Sequence, residues 1–430
     1  MRPLKALFVH PNFPGQFRSI APALAADGWE VVGVGQAAPS VHAPPGVRLY
    51  RYKPSPFRLD PHYPPLEALA NQLRQGRAAA RLFEDIRETG FVPDVIVGHP
   101  GWGDMAFAER VWPAAPSIAY LEYFYRPFGA DLDFDAEFPT APGASEFQAL
   151  RNVVQLLAHQ SARLCVSPTH YQRSLFPPPI RRSIRVLHEG VDTDAVAPRP
   201  DVSVTLPDGR VLTRATPVLT YAARNLEPYR GYHVFMRTLP ALQRAHPDLF
   251  TVIVGGDEVS YGRTPAGGGS WRQVLDAELG DDLDRSRIWF AGRLPYDAYL
   301  DVLRLSTVHV YLTYPFVLSW SAIEAMAAGC AIVASDTPPV TEVVRDGENG
   351  RLVPFFDRDA IAAAVGALLA DPAERARLGA AARATAVDGF DLRRVTLPAW
   401  RAAIEAVAAN RLPVALGGQE PPPRHPPAAD

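Results

Sequence analysis

Short apolar runs alternate with amphipathic stretches along almost the whole chain. In the first half the runs are KALFVHP (5–11), EVVGVG (30–35), DVIVGHP (94–100), SIAYLE (117–122) and ARLCVSP (162–168). The second half has PVLTYAAR (217–224), FTVIVGGD (250–257), RIWFAGR (287–293), VHVYLTY (308–314) and AIVASD (331–336). Each is short, continuous and bounded by Gly, Pro or Asp, which is how a strand buried on both faces reads. Between them lie helical patterns such as 64–88 and 231–246. The alternation predicts α/β architecture with parallel sheets. Proline, aspartate and glycine gather over 188–210, so the chain is expected to divide there into two doubly wound domains. The expected division is 1–195, 196–389, a helix over about 390–411 returning to the first domain, and a Pro-rich disordered tail over 412–430.

Composition narrows the class. At 430 residues the chain exceeds one ordinary core, and 47% hydrophobic with 21% charged residues reads as globular. A net charge of −3 gives no long-range attraction for nucleic acid. The two cysteines, Cys165 and Cys330, lie in apolar runs and are expected to be buried thiols. The N-terminus enters a strand without a signal peptide, and no apolar run reaches the roughly 18 residues of a membrane span. Lys5 and Lys53 are the only lysines against many arginines, the signature of a GC-rich, bacterial gene. A cytoplasmic address follows as the expectation, with peripheral contact at the inner face of the membrane as an option. That option rests on RLYRYKPSPFR (48–58), where Arg48, Arg51, Lys53 and Arg58 interleave with Tyr50, Tyr52 and Phe57. A solvated edge accounts for the same pattern.

Ligands of open α/β sheets bind beyond the carboxyl ends of the strands, so four loops carry the candidate chemistry. After the first strand, His10 is followed by Gly15 and Gln16 at a helix start, where free amides suit a phosphate or sugar and a tight turn is the plain alternative. VGHPGWGDM places His99 at a strand end, and Glu122 ends the next strand beside three aromatics; capping of neighbouring turns is the bland account. The acidic triplet Asp131, Asp133 and Asp135 lacks the glycine and distal glutamate of a calcium loop and reads as solvated. Arg224 and Arg230 flank a strand-to-helix loop and form a fork for a diphosphate, or else pair with carboxylates such as Glu227. Finally, SWSAIEAMAAG carries Glu324. Ser321-Ala-Ile-Glu324 fits a capping box, and a carboxylate there also suits the vicinal hydroxyls of a ribose.

Taken together these loops resemble the retaining glycosyltransferases of family 4, group 1, most strongly over 217–353. Arg224 and Arg230 stand where the family has an arginine and a lysine. EAMAAG resembles its glutamate–alanine–methionine–alanine–x–glycine helix, with Glu324 at the ribose-binding position. The linker at HEGVDTDAVAP, the hairpin near 345–353 and the C-terminal helix are similar too. Two departures stand out: Phe316, eight positions before Glu324, replaces a usual glutamate, and Glu122 takes the place of a frequent histidine.

The resemblance implies a GT-B fold, with two facing Rossmann-like domains and a deep cleft. It implies transfer of a sugar, with retention, from a nucleotide diphosphate sugar to a glycan, lipid-linked or small-molecule hydroxyl. The expected catalytic residues are Glu122, His99, Arg224 and Arg230. The expected donor-binding residues are Gly15, Gln16, Arg224, Arg230, Arg293, Ser319, Trp320, Ser321 and Glu324. No metal and no cofactor beyond the donor is expected, because the arginines supply the positive charge. The alternatives are a sugar-nucleotide epimerase or a non-catalytic binding relative.

Overall fold

The computed structural model describes residues 2–54 and 65–411, and the chain forms two compact units. The expected tail, 412–430, lies outside the described residues, as do Phe57 and Arg58.

The first unit comprises residues to Tyr125, Glu146–Glu189 and the chain from Thr396. Its strands are β1 (Lys5–Val9), β2 (Glu30–Gln36), β3 (Val47–Tyr52), β4 (Val95–Gly98), β5 (Ser117–Tyr120), β6 (Leu164–Ser167) and β7 (Ile184–Val186). They pair in the order β3-β2-β1-β4-β5-β6-β7, all parallel. Helices cover both faces, which is why β1, β4, β5 and β6 read as continuous apolar runs. The helix Leu397–Ala408 lays Trp400, Ala403, Ile404 and Val407 onto a core shared with Phe8, Phe17 and Tyr120. That 3–4–7 spacing is one helical stripe, and truncating the buried Trp400 to alanine would cost about 3–5 kcal/mol.

The second unit comprises Gly190–Val395 and, inserted from earlier in the chain, Arg126–Ser145. After a small antiparallel pair, β8 (Ser203–Thr205) and β9 (Val211–Thr213), come β10 (Val218–Asn225), β11 (Phe250–Gly256), β12 (Ile288–Gly292), β13 (Val308–Tyr311), β14 (Ile332–Ser335) and β15 (Arg351–Val353). Their order is β12-β11-β10-β13-β14-β15, again parallel. In each sheet the order reverses once, at β1/β4 and at β10/β13. Such a switch point leaves a crevice outside the carboxyl ends of the two strands.

All ten expected strands are present, and five more were not read. β3 is the edge strand drawn from RLYRYK, with Tyr52 buried and the Arg51 guanidinium on the Val41 carbonyl. The solvated acidic loop is a correction. Asp131 and Asp135 are buried, because residues 126–145 pack against the second unit through them and through Phe134 and Phe138. Cys165 and Cys330 are both buried free thiols, each raised to about 12 by burial. No helix among the described residues is long and apolar enough to cross a membrane.

Candidate active site

Each switch point holds one group of polar side chains. In the first unit, β1 ends at His10, β4 at His99 and β5 at Glu122. The amide of Gly101 donates to His99 Nδ1, so the ring proton sits on Nε2, 3.2 Å from Glu122 Oε2. Gln16 Nε2 donates to Glu122 Oε1 at 2.9 Å. The carboxylate is thus held from both sides, with 27% of its side chain exposed, and presents an acceptor at the strand tip. Behind it, His10 packs edge-on to His99 and Trp102. Burial and the neighbouring His99 hold its pKa well below the usual value, so the ring stays neutral. Gly15 is fixed by this ring. Its φ is +48°, and a Cβ there would lie 2.6 Å from His10 Cε1. The helix expected at Gly15–Gln16 is a single 3-10 turn, Gly15–Phe17.

In the second unit, β10 carries Arg224 and Asn225 at its end. The turn Pro228–Arg230 leads through Gly231 into the helix Tyr232–Ala245. Gly231 has φ +69°, and a Cβ would strike the Leu312 side chain at 2.4 Å, so only glycine makes this turn. The two arginines differ. Arg224 is exposed. Arg230 is buried, with Nη1 donating to Thr313 Oγ1 and to the Val317 carbonyl, both at 2.9 Å. The Tyr261 and Phe316 rings stand 5.2 and 5.8 Å from its guanidinium carbon. Neither arginine pairs with Glu227, contrary to the surface-pair alternative. Glu227 is wholly buried and accepts the amides of Ser260, Tyr261 and Gly262, which fixes that loop beside Arg230. Phe316 packs on Tyr229 and Tyr261 and is 4% exposed.

The helix Trp320–Ala327 begins at Ser319, whose side chain caps nothing. Glu324 therefore lies in the second turn and no Ser321–Glu324 capping box forms, which corrects the expectation. The Ser319 amide meets the Tyr311 hydroxyl at 3.0 Å, so it is not open to a ligand, while Ser319 and Ser321 hydroxyls pair at 2.6 Å. Glu324 is buried. Its two oxygens accept from Tyr296 (2.9 Å) and Tyr299 (3.0 Å), residues of the helix after β12 that the sequence reading missed. Their i, i+3 spacing after RLP was the available signal. Burial, then the charge of Glu324, raises the Tyr299 pKa well above its usual value and keeps the hydroxyl a donor. Arg293 binds Asn225 Oδ1 at 2.9 Å and Glu258 at 2.5 Å. Within this unit, the carboxyl ends of β10, β12 and β13 thus bring Arg224, Arg230, Arg293 and Glu324 to one end of the sheet. His99, Glu122, Gly15 and Gln16 gather separately in the first unit.

This arrangement has counterparts. Residues 27–196 match the glycosyl transferase family 4 group, and residues 211–385 match glycosyl transferases group 1. The chain is 30% identical over 298 residues to a GDP-mannose-dependent alpha-(1-6)-phosphatidylinositol monomannoside mannosyltransferase of Mycolicibacterium smegmatis, covering 66% of this chain and 73% of that one. It is 28% identical to a D-inositol 3-phosphate glycosyltransferase of Kribbella flavida, over 76% of this chain and 75% of the relative. Among solved structures it shares its fold with sucrose-phosphate synthase from Thermosynechococcus elongatus (TM-score 0.67, 19% identity, 95% and 97% coverage). The Anabaena protein HepE, solved with UDP and glucose, is similar at a TM-score of 0.63 with 17% identity, covering 90% and 96%.

Proposed function

Because the chain belongs to the family 4, group 1 glycosyltransferases and has their GT-B fold, we propose that it moves a sugar from a nucleotide diphosphate sugar to an acceptor hydroxyl with retention. The observation that carries this reading is Arg230, a buried guanidinium that forms no ion pair among the described residues. A buried charge without a counter-ion is costly. The anion that completes it is the donor's diphosphate, met also by the exposed Arg224.

As the bond from the anomeric carbon to the diphosphate oxygen breaks, negative charge grows on the leaving group. The two arginines stabilise that charge, a term that is usually the largest in such a reaction. They supply what a divalent ion would otherwise bring, so the transfer needs no metal at the diphosphate. The leaving phosphate takes the acceptor's proton, and the new bond forms on the face the diphosphate leaves. Glu324 receives the ribose hydroxyls and Arg293 the base side. In the first unit the Glu122 carboxylate, aligned by His99 and Gln16, accepts hydrogen bonds from sugar hydroxyls. The names of the similar proteins make GDP-mannose the first donor to try, with inositol-bearing lipids and inositol phosphates as first acceptors.

The test is a thermal-shift panel of UDP, GDP, ADP and dTDP sugars, followed by transfer assays of each binder against lipid and glycan acceptors. Transferred sugar with the donor's anomeric configuration, read by NMR, supports the proposal. An inverted product overturns retention. Tight donor binding without transfer to any acceptor would make the protein a nucleotide-sugar-binding relative instead.

A further inference from the structure

Residues 126–145 are held on the second unit by carboxylates. Asp131 accepts from the Tyr229 hydroxyl at 2.9 Å. Asp135 and Glu137 converge with His233 of the helix Tyr232–Ala245, and one ligand atom of each lies within 4.8 Å of the others. His233 is 1% exposed, yet neither ring nitrogen has a hydrogen-bond partner, although Nε2 stands 3.0 Å from Asp135 Oδ2. Nδ1 has no partner and Nε2 meets only the Asp135 carboxylate, out of line with a ring N–H, so the buried imidazole is incompletely satisfied. Two basic atoms that close, with no N–H aligned between them, have the disposition of two ligands of one cation.

The charges agree. Arg237 binds Glu137 through both terminal nitrogens and Glu278 as well. Asp135, Glu137 and Glu278 face one guanidinium, a surplus of carboxylates that a divalent ion would offset. The outer partners that orient metal-bound carboxylates are also in place. The Tyr314 hydroxyl donates to Asp135 at 2.5 Å, and Arg237 braces Glu137 at 2.6–2.7 Å.

We propose that Asp135, Glu137 and His233 bind one divalent ion of the zinc class and so tie residues 126–145 to the helix Tyr232–Ala245. One imidazole with two carboxylates favours zinc over magnesium or calcium, which take oxygen ligands. Zinc bonds of about 2.0–2.2 Å put tetrahedral ligand atoms roughly 3.3–3.5 Å apart. The His233–Asp135 pair is near that spacing already, and Glu137, within 4.8 Å, closes by up to about 1.5 Å. Three protein ligands leave the fourth position to water. The ion would be structural: the segment it fastens carries Asp131, whose partner Tyr229 packs on Phe316.

The experiment strips the full-length protein with EDTA, dialyses it, and titrates zinc chloride against a chromophoric chelator, with bound metal counted by mass spectrometry. One zinc per chain and a higher melting temperature are expected, with magnesium not competing. Glu137→Gln changes an exposed residue and His233→Gln a buried one; each should weaken zinc binding at least about tenfold, whereas Asp133→Asn should not. If His233→Gln does not fold, Glu137→Gln decides alone. Substoichiometric zinc in the wild type, or wild-type affinity in the Gln variants, would mean adventitious surface binding and overturn the site.

Discussion

Replacing the two arginines one at a time separates binding from folding. Arg224 is exposed at the end of β10, so Arg224→Ala removes a surface charge and little else. A charge-assisted hydrogen bond contributes about 1.5–3 kcal/mol, or about 10- to 150-fold in Kd. The melting temperature should stay within about 2 °C, since exposed substitutions of this kind change stability by under about 0.5 kcal/mol. Arg230→Ala should lose as much affinity and also destabilise. It strips the buried Thr313 hydroxyl and Val317 carbonyl of a donor, at about 1–3 kcal/mol. For a unit of about 200 residues that is roughly 2–12 °C in Tm. Calorimetric titration of the matching nucleoside diphosphate, beside differential scanning of each variant, reads both quantities. Raising the salt concentration should shrink the Arg224 effect more than the Arg230 effect, because exposed charges are screened and buried ones much less so. Unaltered affinity in Arg224→Ala, or a loss in Arg230→Ala accounted for wholly by unfolding, would refute the diphosphate assignment.

Glu324→Ala should weaken a nucleoside diphosphate at least about tenfold but inorganic pyrophosphate by less than about twofold, measured by competition; equal losses would remove the ribose from Glu324. Phe316→Glu should weaken diphosphate binding about tenfold or more rather than improve it, and a tighter complex would contradict the electrostatic picture given below. His309, buried in β13, has its pKa lowered to about 4 by burial, so the unfolded chain binds its proton first as pH falls below about 6.5. Its contribution is complete at pH 7 and falls by about 2 kcal/mol by pH 5. Urea midpoints that stay level between those values would show that His309 is not buried neutral.

Nine of the ten strands read were central, where coverage on both faces leaves unbroken apolar runs, and β12 was legible at an edge because IWFAG is apolar although half-buried. β3 was not: at an edge position it exposes Arg48 and Arg51, half-buries Leu49 and Tyr50 and so shows no clean period, and its basic and aromatic residues also suit a membrane surface. β7, β8, β9 and β15 have three residues each, too few to show a period. Arg224, Arg230 and Glu324 could be singled out because each sits in a loop or first turns after a strand. Their surroundings could not, since they are assembled from distant chain segments. Tyr296 and Tyr299 reach Glu324 across the intervening strand β13, and Glu227 reaches the 260–262 amides. The acidic triplet misled for a related reason. Its hydrophilic look describes the residues alone, whereas Asp131 and Asp135 are buried because tyrosine hydroxyls and His233 come to them from the other part of the chain.

Phe316 shows how the site accommodates its departure from the family pattern. A glutamate at that place would lie near Arg230 and neutralise it. At 5.8 Å and an effective dielectric of about 20, the attraction would be about 3 kcal/mol, an upper figure that side-chain freedom and solvent reduce. Phenylalanine offers only the face of its ring, and Tyr261 another. Such cation–π contacts contribute about 0.5–2 kcal/mol and leave the formal charge intact. Tyr229 and Tyr314 extend the same apolar wall and are held in turn by Asp131 and Asp135. Those two carboxylates are therefore one layer removed, bound to tyrosine hydroxyls instead of the guanidinium, while Glu227 is tied to the 260–262 amides and reaches Arg230 only through space. Arg230 is thereby kept desolvated, oriented by Thr313 and Val317, and without a carboxylate in direct contact among the described residues. In such surroundings an incoming diphosphate would meet a guanidinium offset only through space by the buried Glu227, so phenylalanine in place of the glutamate is expected to favour the electrostatic part of donor binding while removing a hydrogen-bond acceptor for the sugar.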